Sequence, residues 1–536
     1  MLTKSDKTNL RNTIFRHLDG IATSTSSYAL CQKGVLDYLL ENETVTIEEL
    51  GKEFKANEGY LNVALRVLSA QGWLKQHVDN KIDTVTYSTN KVSKKAFRLV
   101  HLYADVVNLL KYSDRFAQEK VISTDAFIIL EQIFKKFESN YGLDISDEDS
   151  IEFQVYKHIE GVIAGPIIVL LGVNGLFHKY FMEASFTAEE YHKDPESFKK
   201  ILNYFTHLGW FNKKKNTYQF TDKGLFFAKR ASAYGVTVSY IPTFLQLDEL
   251  IFGNPLVLKT KSANDTEKHV HREMNVWGSG GAHTTYFKVI DKVIIELFNR
   301  PIDEQPKGIL DMGCGNGAFI EHIFNIIEQQ TIRGKVLDDY PLFLVGADFN
   351  QAALKVTRAN LIKADIWAKV IWGDIGRPDL LATDLKEDYN IDLKDLLNVR
   401  TFLDHNRIWE PPQNKHSIMS QSTGAYAFRG KRLSNNEVEA SLLEHLTKWK
   451  PFVEKFGLLI IELHTIDPGL TAKNLGKTAA TAYDATHGYS DQYILEVDVF
   501  KTIAEKAGLR PDDNHFARFP DNELATVSIN LLKGVE

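Results

Sequence analysis

The chain has few cysteines, no excess of positive charge and no uninterrupted apolar run of the length that spans a membrane. Two cysteines among 536 residues, Cys31 and Cys314, exclude a disulfide framework and a thiolate zinc site. The formal net charge of −7 provides no overall positive field for nucleic acid or an anionic membrane. The most apolar stretch, residues 162–176, contains a proline and is shorter than the ~20 residues that a span needs. Since no signal peptide is recognisable either, we expect a cytoplasmic protein without nucleic-acid or membrane partners.

The length of the chain predicts several domains. Domains usually hold ~100–200 residues, and 44% apolar with 25% charged residues is typical of a globular enzyme. The polar, helix-poor segment 259–268 indicates a boundary ahead of a catalytic domain. We predict a first winged-helix-like dimerisation repeat at 1–125, a second winged-helix-like repeat at 126–262, and the catalytic domain at 263–536.

The N-terminal half contains a diverged internal repeat, with copies at residues 28–74 and 163–211. In each copy a helix with apolar residues at i, i+3 and i+4 ends at a Gly-Trp pair, Trp73 or Trp210, and a short β-hairpin follows. Three helices and a hairpin are the outline of a winged helix. Because neither third helix has an arginine-rich face, packing and homodimerisation are favoured over DNA binding. Paired winged helices also resemble the N-terminal regions of small-molecule O-methyltransferases, which implies a role in subunit pairing.

Short apolar runs alternate with helical patterns in the C-terminal half. The runs are GILDMG, LFLVGADF, AKVIWGDI, DLLNVRTFLDH, GLLIIELH and ATVSINLLKG. Buried strands separated by amphipathic helices predict an α/β fold with a doubly wound, mostly parallel sheet of the Rossmann-like type.

The segment Gly308–Phe319 (GILDMGCGNGAF) predicts a strand, a glycine-rich turn and the start of a helix. Glycine allows unusual backbone angles and lets a cofactor approach the main chain closely. A dinucleotide site has G-x-G-x-x-G, whereas here Asp311 precedes Gly313, Gly315 and Gly317 at every second place. This D-x-G-x-G-x-G pattern resembles motif I of class I S-adenosylmethionine (SAM) methyltransferases.

Further polar residues fall where a SAM site needs them. Asp348 ends the next strand and is expected to accept hydrogen bonds from the ribose hydroxyls. Asp374 follows another strand and resembles the acid that binds the adenine amino group. The Gly-Ser-Gly-Gly turn predicted within residues 275–287 would bring backbone amides to the SAM carboxylate, with Tyr286 nearby, although a plain linker explains this segment equally well.

Histidines and oxygen ligands gather on the predicted acceptor side of the site. Asp404 and His405 end the predicted fourth strand, His464 ends the next, and a predicted loop contains His487 and Gln492. One hypothesis is a mononuclear Fe, Mn or Zn site that holds an enolisable substrate. A second is a metal-free acid/base pair, and a third is a set of buried structural polar residues.

Three segments carry a resemblance to a known family. DMGCGNGAF (311–319), VRTFLDHNR (399–407) and ATHGYSDQY (485–493) together resemble the methyltransferase domains of apratoxin-type polyketide assembly lines. Phenylpyruvate C-methyltransferases are similar more distantly. The resemblance implies C-methylation of a metal-bound β-dicarbonyl thioester or α-keto acid, with His487 in the substrate pocket. The metal ligands that it implies are Asp404, His405, His464 and Gln492.

These observations predict a SAM-dependent C-methyltransferase of polyketide-type natural-product biosynthesis. Its substrate would be a small-molecule or carrier-protein-bound acyl group, and its catalytic residues would be His405, His464 and His487. The first alternative is a metal-free small-molecule O-methyltransferase that uses His405 or His464 as a base. The second is a non-catalytic winged-helix regulator, which requires a basic recognition helix that the sequence lacks.

Overall fold

The computed structural model describes residues 1–181, 185–259, 267–414 and 418–534 and divides the chain into two units. Unit 1 consists of Met1–Ala282, Ala425–Leu433 and Asp467–Asp491, and unit 2 of His283–Gly424, Ser434–Ile466 and Gln492–Glu536.

Helices dominate unit 1 and strands form the centre of unit 2. The α-helices are α1 (Lys4–Gln32), α2 (Val35–Asn42), α3 (Ile47–Glu53), α4 (Glu58–Ala70), α5 (Ser93–Leu99), α6 (Ala104–Leu110), α7 (Thr124–Glu138), α8 (Ile151–Val173), α9 (Leu176–Tyr180), α10 (Ala188–Tyr191), α11 (Pro195–His207), α12 (Asp222–Ala228), α13 (Gly235–Ser239), α14 (Ile241–Phe244), α15 (Leu247–Phe252), α16 (Arg272–Phe298), α17 (Ala318–Gln330), α18 (Gln351–Lys363), α19 (Pro378–Tyr389), α20 (Asn435–Val453), α21 (Pro468–Ala472), α22 (Ala480–Gly488) and α23 (Val497–Lys506). The strands are β1 (Thr44–Thr46), β2 (Lys75–Asp79), β3 (Thr84–Ser88), β4 (Phe211–Lys214), β5 (Thr217–Phe220), β6 (Gly308–Met312), β7 (Phe343–Asp348), β8 (Ala368–Trp372), β9 (Leu396–Thr401), β10 (Tyr426–Phe428), β11 (Lys431–Leu433), β12 (Leu458–Leu463), β13 (Leu509–Pro511), β14 (Ala517–Phe519) and β15 (Val527–Gly534).

Both predicted winged-helix repeats are confirmed in unit 1. The first copy has helices α2, α3 and α4 followed by the β2–β3 hairpin, to which β1 adds a third strand. The second copy has α9, α10 and α11 followed by the β4–β5 hairpin. Trp73 and Trp210, which follow the third helix of each copy, are buried and so fix the hairpin against the helices.

The repeat extends further upstream than the winged helices, into the long helices α1 and α8. Residues 16–20 (RHLDG) and 157–161 (KHIEG) have the same character at each position. A Cβ atom on Gly20 would lie 2.4 Å from the Cα atom of the histidine in the other segment, and the converse holds at Gly161. Such a reciprocal contact is typical of a two-fold interface. The two copies of the internal repeat therefore pack against each other through α1 and α8.

The two histidines at this crossing have matched hydrogen bonds. His17 Nδ1 lies 2.8 Å from the hydroxyl of Tyr234, and His158 Nδ1 lies 2.8 Å from the hydroxyl of Tyr103. Each tyrosine follows the hairpin of the copy to which its histidine does not belong. The two copies therefore exchange these hydrogen bonds across the boundary predicted between 1–125 and 126–262, and that boundary stays a prediction.

Replacing Gly161 by alanine is expected to lower the free energy of unfolding by about 1–3 kcal/mol, because the added methyl group meets backbone atoms that cannot move aside. Thermal or urea unfolding measures the change. Gly280→Ala is the control, since Gly280 lies in α16 and no described atom beyond its chain neighbours and its own helix backbone lies within 4 Å of a Cβ there. Equal stabilities for the two variants would contradict the close helix crossing.

Helix α8 is long and apolar enough to cross a membrane by length and composition, but 83% of its most apolar window is buried inside the protein. It contains Pro166 and packs along α1. The apolar stretch 162–176 therefore consists of the buried end of this helix and the turn that follows it.

The predicted doubly wound, mostly parallel sheet is confirmed in unit 2. Among the described residues its strand order is β13–β15–β12–β9–β6–β7–β8, and β14 also pairs with β15. Strands β8, β7, β6, β9 and β12 run parallel, whereas β15 is antiparallel to β12. The strand order reverses between β6 and β9, and ligands of such sheets bind outside the carboxyl ends of the strands at this reversal. Both the glycine-rich turn and His405 follow those two strands.

Candidate active site

The glycine-rich turn after β6 needs glycine at each of its three predicted positions. Gly313, Gly315 and Gly317 have φ angles of 83°, 56° and 82°, in the left-handed region that disfavours side chains. Helix α17 begins directly afterwards, so its free backbone amides face the turn. A helix N-terminus behind a glycine turn suits the negative groups of a cofactor.

The two predicted acids lie beside this turn, at the same edge of the sheet. Asp348 is half-buried, and its carboxylate accepts hydrogen bonds from the backbone amides of Gly315 (3.0 Å) and Asn350 (2.8 Å). Asp374 follows β8 and accepts from the amide of Gly376 at 2.8 Å. Because β6, β7 and β8 are parallel neighbours, both carboxylates stand at the carboxyl edge that the turn occupies.

Asp311 is fully covered inside β6. Burial raises the pKa of Asp311 to about 7, and the negative charge of Asp348 adds to the effect. A carboxyl group with this pKa is partly protonated at neutral pH and can donate as well as accept a hydrogen bond. Asp311 therefore lies in β6 next to the glycine-rich turn, as the motif predicts, but its side chain is buried.

An aromatic pair that the sequence analysis did not predict stands beside the two acids. Phe349 directly follows Asp348, and its ring centroid lies 5.6 Å from that of Trp372. Both rings are partly exposed, Phe349 to 55% and Trp372 to 40%. Exposed rings next to acids that can bind a ribose and an amino group offer an apolar face for a purine.

Two side chains of α18 donate hydrogen bonds to backbone carbonyls of the glycine-rich turn. The Thr357 hydroxyl donates to the carbonyl of Gly315 (2.8 Å), and the Asn360 amide donates to the carbonyl of Asn316 (2.9 Å). Their i, i+3 spacing places them on one face of the helix. Nothing in the local sequence distinguishes these two residues from ordinary helix surface, so the sequence does not predict them.

Replacing Thr357 by valine is expected to raise the dissociation constant for SAM by about 3- to 10-fold, because the turn loses a hydrogen bond worth about 0.5–1.5 kcal/mol. Isothermal titration calorimetry measures this change. Thr357→Ser keeps the hydroxyl and should bind SAM nearly as the unaltered protein does. Unchanged binding by Thr357→Val together with weak binding by Thr357→Ser would show that the methyl group, not the hydrogen bond, is what matters.

Tyr286 lies in a helix instead of beside the predicted Gly-Ser-Gly-Gly turn. Helix α16 runs unbroken through these glycines, so that turn prediction is wrong. Gly278 is required within the helix because a Cβ atom there would come within 2.6 Å of the backbone nitrogen of Val236. The Tyr286 ring packs edge-on against Phe402 and Phe519, at centroid distances of 6.0 and 5.1 Å. Its predicted contact with the cofactor stays a prediction.

His405 and Glu462 form a buried pair at the end of β9. His405 sits in a short 3-10 helix, Asp404–Asn406, and its Nδ1 lies 2.5 Å from Glu462 Oε1. The backbone amide of His405 also donates to Glu462 Oε2 at 3.1 Å, and its carbonyl accepts from the amide of Tyr493 at 2.8 Å. Ring and backbone are therefore both held by the carboxylate of the neighbouring strand β12.

Glu462 was not among the predicted site residues. It is an acid inside the otherwise apolar strand β12, and it is 2% exposed. Acidic side chains are almost never buried unless they are paired, so the glutamate within LLIIEL was a signal that the sequence offered.

His464 uses both ring nitrogens within the core. Nδ1 lies 2.9 Å from the carbonyl of Leu495 and must donate to it, while Nε2 lies 2.7 Å from the hydroxyl of Ser528. Burial lowers the pKa of His464 to about 4, which keeps the ring neutral. These contacts give His464 a structural role in unit 2.

Asp404 is paired with a buried cation, the guanidinium of Arg400. Its Oδ1 lies 2.5 Å from Arg400 Nη1 and 3.0 Å from His445 Nε2. Burial alone would raise the pKa of Asp404, but the Arg400 guanidinium and His445 hold it well below its usual range. The carboxylate is consequently ionised and already paired.

The four predicted metal ligands do not fit a mononuclear site. Oδ1 of Asp404 is paired with Arg400, Nδ1 of His405 with Glu462, and both nitrogens of His464 are engaged. Gln492 is buried. Within the part of the chain that the structure describes, no three His, Cys, Asp or Glu side chains are placed to hold one ion. The predicted metal site is thus unsupported, because both nitrogens of His464 and one donor atom each of Asp404 and His405 serve other partners.

His487 lies in helix α22 of unit 1 and not in a loop, as its sequence had suggested. Its Nδ1 lies 2.9 Å from the carbonyl of Tyr483 and 3.0 Å from the Thr486 hydroxyl. The ring of Tyr240 stands 6.3 Å away. Its predicted place in a substrate pocket, and its catalytic role, stay predictions.

Three family models match the chain in order. The "AprA N-terminal domain" matches residues 10–76, the "AprA winged helix domain" matches 160–254, and the "AprA MT2-like domain", a methyltransferase family, matches 267–530. The resemblance to apratoxin-type methyltransferases is therefore confirmed. A comparison with curated proteins gives no match.

Solved structures show similarity at low identity. The mitomycin 7-O-methyltransferase MmcR is 12% identical, with a TM-score of 0.42, over 72% of this chain and 98% of that one. LepI in complex with SAM is 13% identical, with a TM-score of 0.38, over 82% and 100%. The CurJ carbon methyltransferase is 10% identical, with a TM-score of 0.34, over 76% and 99%.

Proposed function

The protein is a SAM-dependent methyltransferase with AprA-like domains, and from this premise we propose that it methylates the α-carbon of an enolisable acyl substrate. The observation that carries the proton-transfer step of this proposal is the His405–Glu462 pair, which lies at the carboxyl edge of the sheet, one strand from the glycine-rich turn. The acyl group belongs to a small molecule or to a carrier protein.

The SAM site is proposed to consist of the turn and the two acids at its edge. Asp348 would accept hydrogen bonds from the ribose hydroxyls, Asp374 would accept from the adenine amino group, and Phe349 would cover the purine. SAM supplies an electrophilic methyl group on its sulfonium. What the chain must add is a nucleophile, held in line and relieved of its proton.

His405 is proposed as the general base. Its Nε2 takes the proton from the α-carbon, and the electron pair of the broken C–H bond moves into the carbonyl as an enolate. Glu462 fixes Nδ1 as the donor nitrogen and stabilises the imidazolium, as a carboxylate does behind a catalytic histidine. The enolate carbon then forms a bond to the methyl group, and the sulfonium leaves as a neutral thioether.

Oxygen is the competing acceptor. The same pair would also remove a proton from a phenol, so its geometry alone favours neither atom. Carbon is favoured by the three segments, 311–319, 399–407 and 485–493, that resemble C-methyltransferases. A regulator would need a basic third helix, but the side chain of Arg66 in α4 is buried against Asp484.

Deuterium exchange at the α-carbon tests the proposal. The protein is incubated in D₂O with S-adenosylhomocysteine and a malonyl N-acetylcysteamine thioester or phenylpyruvate, and exchange is followed by mass spectrometry against protein-free solution. Accelerated exchange, followed by a C-methylated product once SAM is added, is the expected result. A product methylated on oxygen would overturn the proposal.

Metal addition separates this proposal from the metal-assisted hypothesis. Because both ring nitrogens of His464, Nδ1 of His405 and Oδ1 of Asp404 already have partners, dialysis against a chelator is expected to leave exchange and methyl transfer unchanged. Reconstitution with Fe, Mn or Zn should then bring no gain. A rate that falls with chelation and returns with one of these ions would contradict the acid/base mechanism.

A further inference from the structure

The buried cluster of Arg400, Asp404 and His445 has no role in the reaction proposed above. We infer that it is a positioning group, which fixes the short helix Asp404–Asn406 so that the His405 ring faces Glu462 and the substrate. This inference rests on the proposed function of His405.

The three side chains are completely inside unit 2. Arg400, Asp404 and His445 are 0%, 1% and 5% exposed. The guanidinium also stacks over the Trp449 ring, with its carbon 4.0 Å from the ring centroid. Arg407 adds a contact from the other side, since its Nη1 donates to the backbone carbonyl of Asp404 at 3.0 Å. The residue immediately before His405 is thus held by both its side chain and its carbonyl.

Arg400 connects the cofactor strand with the strand of Glu462. In the sheet it pairs with Met312 of β6, the last residue before the glycine-rich turn, and with Ile460 of β12. Glu462 follows two residues later on β12. Because Arg400 is fixed in β9 between β6 and β12, its bond to Asp404 fixes the short helix with His405 relative to both neighbouring strands.

Stability alone does not account for this cluster. A buried ion pair loses its hydration and is often no more stabilising than well-packed apolar side chains. Here Arg400 Nε and Nη2 and Asp404 Oδ2 are buried without a hydrogen-bond partner among the described residues, so the hydration is only partly replaced. Beyond packing, the ion pair fixes the orientation of the short helix Asp404–Asn406 relative to strand β9.

The test uses Asp404→Asn, which keeps the shape of the side chain and removes its charge. Methyl transfer and α-carbon exchange with the malonyl thioester are measured together with SAM binding. Since a misplacement near 1 Å costs about 100-fold, kcat is expected to fall by about 10- to 100-fold while the SAM dissociation constant is unchanged. Lys448→Met, which breaks the exposed pair with Glu410, is the matched control and should leave kcat unchanged.

A double variant separates positioning from a general loss of structure. In a His405→Gln background, Asp404→Asn should cause no further fall in the residual rate, because the group it positions is gone. The same fold-loss in both backgrounds, or unaltered kcat in the single variant, would overturn the inference. His445→Gln, a milder change in the same cluster, serves if Asp404→Asn does not fold.

The two proposals fail in different ways. If His405→Gln retains full activity, the proposed base is wrong and the positioning inference falls with it. If His405→Gln is inactive while Asp404→Asn and His445→Gln are fully active, only the positioning inference is overturned.

Discussion

Replacing His405 by glutamine is expected to lower kcat by about 10²- to 10⁴-fold, the range over which a general base contributes. Glutamine keeps a polar side chain near Glu462 but cannot take up a proton. The affinity for SAM should stay the same, because the turn and both acids are untouched. Methyl transfer from radiolabelled SAM gives the rate, and calorimetry gives the cofactor affinity.

His464 provides the contrast that makes this result specific. Both of its nitrogens are bonded within the core, so His464→Asn is expected to lower the free energy of unfolding by about 1–3 kcal/mol. The correctly folded part of the His464→Asn protein should lose far less activity than the His405→Gln variant does. If His464→Asn folds stably and loses as much kcat as His405→Gln, the assignment of the base to His405 is contradicted.

The strands of unit 2 were predictable because each is a short apolar run that ends in a turn or a polar residue. That signal is local, and it also placed Asp348 and His464 at strand ends, whereas His405 lies in the short helix that follows β9. Strands of three residues, such as β13 and β14, have no periodicity to read and were not predicted.

The partners of the site histidines could not be predicted, because they come from elsewhere in the chain. His405 is bound by Glu462 of the neighbouring parallel strand, and His464 by Ser528 of the antiparallel strand β15. The spacing of residues along the sequence indicates which side chains lie at the carboxyl edge of the sheet. It does not indicate which lone pairs remain for a metal.

The extended repeat and helix α22 illustrate two other limits. RHLDG and KHIEG are identical only at His and Gly, and so short a similarity does not establish their equivalence without the reciprocal contacts of Gly20 and Gly161. Residues 480–488 are buried on nearly every side, and a helix without an exposed face has no amphipathic period. The segment with His487 was for that reason mistaken for a loop.

Asp348→Ala is expected to raise the dissociation constant for SAM by about 100-fold or more. Hydrogen bonds to a charged group contribute about 1.5–3 kcal/mol each, and the proposed site has two of them from the ribose. The loss also releases the amide of Gly315, which donates to Asp348 at 3.0 Å and orders the turn. Calorimetric titration with SAM and with S-adenosylhomocysteine measures both affinities.

Two further variants distinguish ribose binding from support of the turn. Asp348→Asn keeps an acceptor for the amide of Gly315 but loses the negative charge. If this variant binds SAM more weakly while its thermal stability is unchanged, Asp348 acts by binding the ribose. Asp384→Ala removes an exposed acid of α19 and should alter neither property. If Asp348→Ala lowers stability while SAM affinity persists, Asp348 serves only the turn. The ribose would then have to be bound by another group at the carboxyl edge of β7.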